Sequence, residues 1–504
     1  MKKIVYILLF TGFLCPVQAQ EFNDVLRYSN VRQGGTARSM GMGGAIGAAG
    51  IDFSVSAINP ASLAQLRTST AMATLGMNFT NNNSNYINRD VRDNRFNFSI
   101  NNMGVTISNV QYYLGKEKKK GLINHTFSFG FNRINDFNRN ITLDANNDQS
   151  NYLDFLSEEA NEFLDPARIQ TGFDPFFPEE LALAANAIIY DANSDAYYPN
   201  LPQTINMRQL YTYNYRGRQT DWNIGWAGNF SHILYVGASL NIPAIRYTAA
   251  EKIIERGFDE MRQVEKSYEL NREFSTSGNG FNAKLGAVLR ANDWLRVGVA
   301  YHTPTAYSLT DQFNYNFTSR GYTNGNFIYN QGELIQSEVA ENSYTLTTPG
   351  KVVVSGAFII KKQAIVSFDY ENVNYTTAKI SGDGLAFINP LISQNLGNRD
   401  NFRIGFEYNY FDYRFRGGYA LYASPYNDAI LNSLTEGDLS LDVYSAGFGY
   451  NVPDSEVYFD AAFVYERYDD FLTPYNLETI NRAAYTSFNR VNSTRLIFTI
   501  GTRF

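Results

Sequence analysis

The chain has 504 residues, of which 44% are hydrophobic, 15% aromatic and 18% charged, too apolar and aromatic for a disordered protein. Its formal net charge of -7 is spread along the sequence and leaves no electrostatic footprint for nucleic acid. With 36 Tyr and 37 Phe against 3 Trp, abundant Asn and Gly and no Pro/Ser-rich linker, the composition favours strands and turns in one large architecture.

Lys2 and Lys3, the apolar run Ile4 to Leu14 and the small-residue site Val17-Gln18-Ala19 read as a secretory signal over residues 1–19. The run is shorter than the roughly 20 apolar residues of a membrane helix, and no later segment supplies such a stretch, so an inner-membrane helical protein is excluded. Bulky Leu14 argues against a lipoprotein reading of Cys15, the only cysteine; with the leader removed, neither disulfides nor thiolate metal sites are expected. His125, His232 and His302 stand at no metal-ligand spacing and beside no Gly-x-Ser-x-Gly elbow. No catalytic residue, metal or cofactor is expected, and the protein is not read as an enzyme.

Residues 20–67 are dominated by small residues: Gly34-Gly35, Ala37, the run Gly41 to Gly50, and Asn59-Pro60-Ala61. The glycines depart from dinucleotide-loop spacing at Ile46, and no strand precedes them. A segment of this kind packs in a confined space, and its place before the first strand suits a plug, or hatch. A loose N-terminal tail is the alternative.

Residues 68–504 alternate. Phe281, Ala283, Leu285, Ala287 and Leu289 oppose Asn282, Lys284 and Arg290; Ala364, Val366, Phe368 and Tyr370 oppose Ser367, Asp369 and Glu371. Phe402, Ile404, Phe406, Tyr408 and Tyr410 oppose Arg403 and Glu407, and Val457, Phe459, Ala461, Phe463 and Tyr465 oppose Asp460 and Glu466. In the last strand Leu496, Phe498, Ile500 and Phe504 oppose Arg495, Thr499 and Arg503. Charges on one face only, repeated over most of the chain, indicate an all-β fold: a transmembrane antiparallel barrel with a lipid face and a wet lumen. The C-terminal strand ending at Phe504 resembles the signal read by the barrel assembly machinery. Outer-membrane lipid and lipopolysaccharide are the expected surroundings.

Six tight turns, at 115–120, 231–233, 291–293, 361–363, 411–413 and 453–455, alternate with seven longer polar connections near 81–92, 136–218, 251–272, 316–342, 378–399, 423–439 and 468–489. They join 14 strands, with residues 20–67 and the C-terminus on the periplasmic side. Alternating Tyr211, Tyr213 and Tyr215 extend a strand above the membrane or raise the count to 16. In the longest loop, Pro178-Glu179-Glu180 starts a helix that Leu181, Ala185, Ile188 and Ile189 continue.

The run RSMGMGGAIGAAGIDFSVSAINPASLAQL resembles the N-terminal hatch of the FadL family of outer-membrane transporters, which includes long-chain fatty-acid and TodX-like aromatic-hydrocarbon channels. The hatch and gating positions that this likeness marks are Gly41, Gly43, Gly44, Asp52, Asn59, Pro60 and Ala61. GVAYHTPTAY (298–307), TPGKVV (348–353) and SFDYENVNY (367–375) resemble the family's seventh to ninth strands. The resemblance implies a monomeric, plugged barrel that passively moves hydrophobic molecules across the outer membrane and releases them sideways beside a kinked strand. Here the third strand is Leu122 to Asn135, with Gly130 or Asn132-Arg133-Ile134-Asn135 as the place where pairing weakens.

An amphipathic carboxylate needs an apolar pocket and a cationic group at its head. Alternation sends Lys284, Arg290, Arg296 and Arg403 into the lumen, and the hatch adds Arg27, Arg32 and Arg38. Of these Arg32, Arg38, Lys284, Arg296 and Arg403 are the ligand candidates. The competing reading is a solvated lumen network with Asp369, Glu371, Glu407 and Asp460. A porin for polar solutes would not need a hatch; a receptor or channel for haem or another nutrient stays open as the alternative function.

Overall fold

The computed structural model describes residues 18–32, 34–50, 52–165, 175–200, 206–259, 264–323, 326–328, 334–433, 439–477 and 485–504; residues 1–17 of the expected leader, 1–19, lie outside that set. The strands close into an antiparallel barrel with 14 staves. In chain order they are β1 (Thr70–Tyr86), β2 (Arg89–Val110), β3 (Leu122–Asp136, resuming as Arg139–Asn147), β4 (Met207–Phe230), β5 (Leu234–Asp259), β6 (Val264–Arg290), β7 (Leu295–His302 and Ala306–Thr323), β8 (Ala340–Thr347 and Lys351–Ile360), β9 (Ala364–Asn374), β10 (Asn398–Tyr410), β11 (Tyr413–Tyr422), β12 (Leu441–Asn451), β13 (Val457–Leu472) and β14 (Ser487–Arg503). Pairing of β1 with β14, from Thr70↔Arg503 to Asn85↔Phe488, closes the ring.

Side-chain alternation sets the two faces. Along β10, Phe402, Ile404, Phe406, Tyr408 and Tyr410 are exposed on the outer surface while Arg403 and Glu407 are buried inside. Phe498 and Ile500 on β14 and Phe281 and Leu285 on β6 repeat the outward pattern. The staves tighten where the chain offers positive φ: Ser231-His232 and Lys361-Lys362 turn two hairpins with paired left-handed residues, which match the twist of the flanking strands. Thr303-Pro304-Thr305 and Thr348-Pro349-Gly350 interrupt β7 and β8 side by side, since proline has no N–H for the ladder. The amide of Thr348 donates to Thr305 O at 2.9 Å and keeps the two breaks together.

Two expected connections are strand instead. Residues 81–92 form the tip of the β1–β2 hairpin, which reverses at Ile87-Asn88 with φ of 48° and 60°, and most of 251–272 lies in β5 and β6. Above the bilayer both faces are wet, so alternation is no longer required, and Asn-rich strands stay paired: Asn81 Nδ2 donates to Asn94 Oδ1 at 2.9 Å. For the same reason β4 starts at Met207, and Tyr211, Tyr213 and Tyr215 belong to a tall strand rather than to an additional stave.

The long outer loop folds back as a cap. Helix α3 (Tyr152–Phe163) starts at a capping box in which Asn151 accepts from the Leu153 and Asp154 amides and Asp154 accepts from Asn151 N. The helix α4 (Pro178–Ala184) begins as expected but stops early, because Asn186 adopts φ 54°; Ile188 and Ile189 then enter a short hairpin (Ile188–Asp191 with Ala196–Pro199). Leu153, Leu156, Leu181, Ile188, Tyr211 and Tyr268 build one apolar cluster between these helices and the strand ends. Beneath it the buried Glu255 carboxylate accepts from Gln209 Nε2 at 2.8 Å, from the Tyr152 amide at 3.1 Å and from the hydroxyls of Tyr211 and Tyr268.

Burial of Glu179 at the start of α4 pushes its carboxyl from the usual 4.5 up to about 8. The packed cap therefore holds this proton while the opened loop loses it near 4.5. The stabilisation is complete below that value and disappears as pH rises through about 8. Limited proteolysis of the cap is expected to be faster at high pH than at low pH across that window, and Glu179→Gln is expected to flatten the difference.

Candidate functional site

The hatch runs from helix α1 (Gln18–Ser29) through α2 (Ala37–Gly41) and two 3-10 turns, Phe53–Ala57 and Pro60–Gln65. A small polar knot ties it to itself. The Thr36 hydroxyl donates to Asp52 Oδ2 at 2.6 Å and accepts from Ser39 N; Asp52 Oδ1 accepts from Ser54 N at 2.8 Å, and Ser54 Oγ accepts from Thr36 N at 2.9 Å. Asn59 caps the second turn by accepting from Ala61 N at 3.1 Å, and its amide donates to Ala287 O and Val299 O on the wall. Pro60 follows it at a position where no N–H is needed. Ala61 is buried against Gly237, where a Cβ would stand 2.6 Å from Ala61 N.

Glycine lets the hatch backbone touch the barrel backbone. Gly43, at φ +63°, lies against Tyr419 and Ile404, and a Cβ on Gly418 would reach 2.2 Å from Gly43 N. Gly41 meets Gly447 in the same way, and Gly44 turns the chain at φ 73°. Buried charges complete the grip. Asp369 on β9 accepts from Ile46 N at 3.0 Å and Gly47 N at 3.1 Å. Arg38 of the hatch pairs with Glu407 at 2.6 Å, Glu407 with Arg416 at 2.7 Å, and Arg416 with Asp460 at 2.7 Å.

The wall is interrupted beside the hatch. Backbone pairing of β2 with β3 runs from Val110↔Asn124 to Asn102↔Asn132 and stops there. On its other side β3 shifts register against β4 between Arg133 and Asn135. The liberated backbone turns inward: Ile134 O accepts from Arg32 N at 3.1 Å, and Asn135 Nδ2 donates to Arg27 O and Asn30 O. Gly34 packs so closely that a Cβ would stand 1.8 Å from Arg133 O. Behind this break lies a cavity of about 950 Å³ between the hatch and the outer loops. Phe137, Tyr215, Tyr247, Tyr422, Tyr468 and Phe488 supply its aromatic lining.

The five cations read as ligand candidates do not all meet at one site. Arg32 lines the large cavity, 3.6 Å from Glu466 and stacked 4.7 Å over the Tyr468 ring. Arg38 is consumed by Glu407. Lys284 pairs with Asp221 at 2.8 Å, and Arg403 lies 3.4 Å from Glu371 and 3.8 Å from Asp369. Both border a second cavity of about 80 Å³ that Arg32 also lines and that meets His302, whose Nε2 donates to Ile58 O at 2.7 Å. Arg296 holds Gln65 and Ala49 O of the hatch. The lumen network expected among these charges exists, but much of it is buried and part of it grips the hatch. Gly130 is not where pairing fails: it is paired with Gly104 over the Phe53 ring, and Asn132, bonded to Asn102 at 2.7 Å, is the last paired residue. The aromatic lining was not read from sequence, because its residues are scattered over strands and loops.

A closed 14-strand barrel with a plug through its lumen and outward aromatic faces is an outer-membrane transport barrel. Residues 250–489 match the family model for the outer membrane protein transport protein (OMPP1/FadL/TodX). Among solved structures, a FadL homologue of Pseudomonas aeruginosa is similar with a TM-score of 0.56 at 12% identity, over 94% of this chain and 99% of that one. The toluene transporter TodX of P. putida is similar with a TM-score of 0.52 at 11% identity, again over 94% and 99%. No curated protein matches the sequence. The match and the shared fold make this chain similar to the OMPP1/FadL/TodX family of outer membrane protein transport proteins.

Glu407→Gln is expected to loosen the hatch, because removing one partner of a buried ion pair costs about 3–5 kcal/mol. In planar bilayers the variant should pass more ionic current than the parent, while retaining the heat-modifiable gel mobility of a folded barrel.

Proposed function

We propose that this protein carries long-chain fatty acids or similar amphipathic molecules inward across the outer membrane. The ligand enters the large cavity under the outer loops, a hatch movement admits it to the break in the wall, and it leaves sideways into lipid between β2 and β3. The observation that supports this most is the continuity of the cavity with the interrupted stave: Arg133 to Asn138 line the cavity and form the break. Lateral release suits the solute, because an apolar chain gains nothing from a water-filled exit and much from lipid. The volume is in the range of small-molecule sites. Arg32, with its loose 3.6 Å pairing to Glu466, is the cation best placed for an anionic head, which an aromatic hydrocarbon would not need. The outward rings of Phe498 and Phe504 support handover of the last strand to the barrel assembly machinery.

Uptake of labelled long-chain fatty acid by cells lacking their own transporter is expected to exceed the empty-vector control once the chain is in the outer membrane. Absence of uptake by assembled protein would move haem or aromatic hydrocarbons ahead of fatty acids. A Cβ on Gly47 would lie 3.0 Å from Ser355 Cβ, a small shift from disulfide spacing. The pair Gly47→Cys and Ser355→Cys is therefore expected to stop uptake when oxidised and to restore it on reduction; uptake indifferent to the redox state would contradict gating by the hatch.

A further inference from the structure

Where β2 and β3 lose their backbone pairing, one carboxylate takes over the wall. Asp136 ends the first segment of β3, and its backbone remains paired with Arg218 on β4. Its Oδ2 accepts from Asn78 Nδ2 of β1 at 3.0 Å, from Asn97 Nδ2 of β2 at 3.1 Å and from Arg133 Nη1 of its own strand at 3.3 Å. Its Oδ1 accepts from Asn138 N at 3.1 Å and Asn138 Nδ2 at 2.7 Å. Asn78 and Asn97 are register partners in the β1–β2 pair, so both present their amides from the same height of the wall. The register of Asn102↔Asn132, continued outward, would set Asn97 against Phe137, next to Asp136.

The bonds divide into two groups. Arg133 and Asn138 belong to β3 and keep the carboxylate on that strand whatever the neighbouring wall does. Asn78 and Asn97 lie across the break. Further out, the described bonds that join β3 to β2 each use at least one side chain: Thr142 N and Oγ1 donate to Asp93, Asn140 Nδ2 donates to Asn94 O, and Arg89 pairs with Asp144. Backbone ladders separate only as a row, whereas two amide-to-carboxylate bonds can break and re-form singly. An ionisable residue set in a barrel wall is by default a candidate for function. The neighbouring Asn135 binds the hatch carbonyls of Arg27 and Asn30, so hatch and carboxylate sit on adjacent residues of one segment.

We propose that Asp136 is the latch of the lateral opening. Its bonds to Asn78 and Asn97 hold the break shut, and a ligand passes when these two bonds part while Arg133 and Asn138 retain the carboxylate. This rests on the lateral-release reading given above and names the residue that controls the exit.

The test separates opening from transport. Cys15, the only cysteine, lies in the expected leader, so Asn101→Cys gives a single reporter; Asn101 is buried on β2 and lines the cavity. In outer-membrane vesicles the reporter is labelled in parallel with pyrene maleimide, which arrives through lipid, and with a sulfonated maleimide, which arrives through water. Adding Asp136→Ala is expected to raise the lipid-to-water ratio of labelling rates about tenfold, as for loss of roughly two hydrogen bonds. Asp136→Asn, which keeps an acceptor oxygen, should give an intermediate ratio. If Asp136→Ala fails to assemble, the pair Asn78→Ala and Asn97→Ala removes the cross-gap donors and should raise the ratio in the same direction. An unchanged ratio in an assembled variant overturns the latch. A raised ratio with fatty-acid uptake equal to the reporter parent supports the latch and contradicts lateral release.

Discussion

Every backbone N–H and C=O at membrane depth must find a partner inside the protein, and this constraint organises the whole structure. A closed ring of strands satisfies it over most of the described wall, and the ladder is interrupted between β2 and β3. There the chain meets it by other means: Ile134 O turns to the hatch amide of Arg32, and Asp136 with its asparagines spans the remaining distance. The break is therefore tied to the plug at the level of single hydrogen bonds. Hatch and break are joined through one short segment, Ile134 to Asp136.

The hatch itself answers a packing problem. A segment threaded through a barrel already lined by side chains has room only if one side of each contact is small. Facing glycines solve it at Gly43 with Gly418 and at Gly41 with Gly447, and buried acids on the wall satisfy the amides that glycine exposes, as Asp369 does for Ile46 and Gly47. Apolar packing adds to these contacts: Met42, Ile46, Val55, Ile58 and Leu63 of the hatch join Tyr235, Val288 and Val353 of the wall in one buried cluster.

Much of this is legible in the sequence where a physical period is imposed. The lipid face forces alternation, so β10 and β14 stand out, and the tight turns and the small-residue hatch mark themselves. Legibility ends where the period is no longer enforced. Asn81 to Asn83 read as loop because strands above the bilayer need no apolar face, and Ile188 and Ile189 kept helical spacing although Asn186 had already ended the helix. The box Asn151-x-x-Asp154 was a readable start for α3 that went unread. Arg38 and Glu407 are 369 residues apart, and nothing local in either segment announces the pair. Gly130 drew attention as a strand breaker, yet it serves close packing over Phe53, and the break begins beyond Asn132.

In the proposed route a hydrophobic ligand crosses from the large cavity into lipid through the break between β2 and β3. A photoreactive long-chain fatty acid, irradiated in outer-membrane vesicles and mapped by mass spectrometry of the cross-linked peptides, tests it most directly. Adducts are expected on cavity-lining residues such as Tyr215 and Tyr247, then on Arg133 to Phe137 and on the outward-facing Phe96 and Phe98 beside them. Adducts that instead continue down the lumen to the rim of short turns near Arg290 and Lys361, with none on the β2–β3 face, would contradict it.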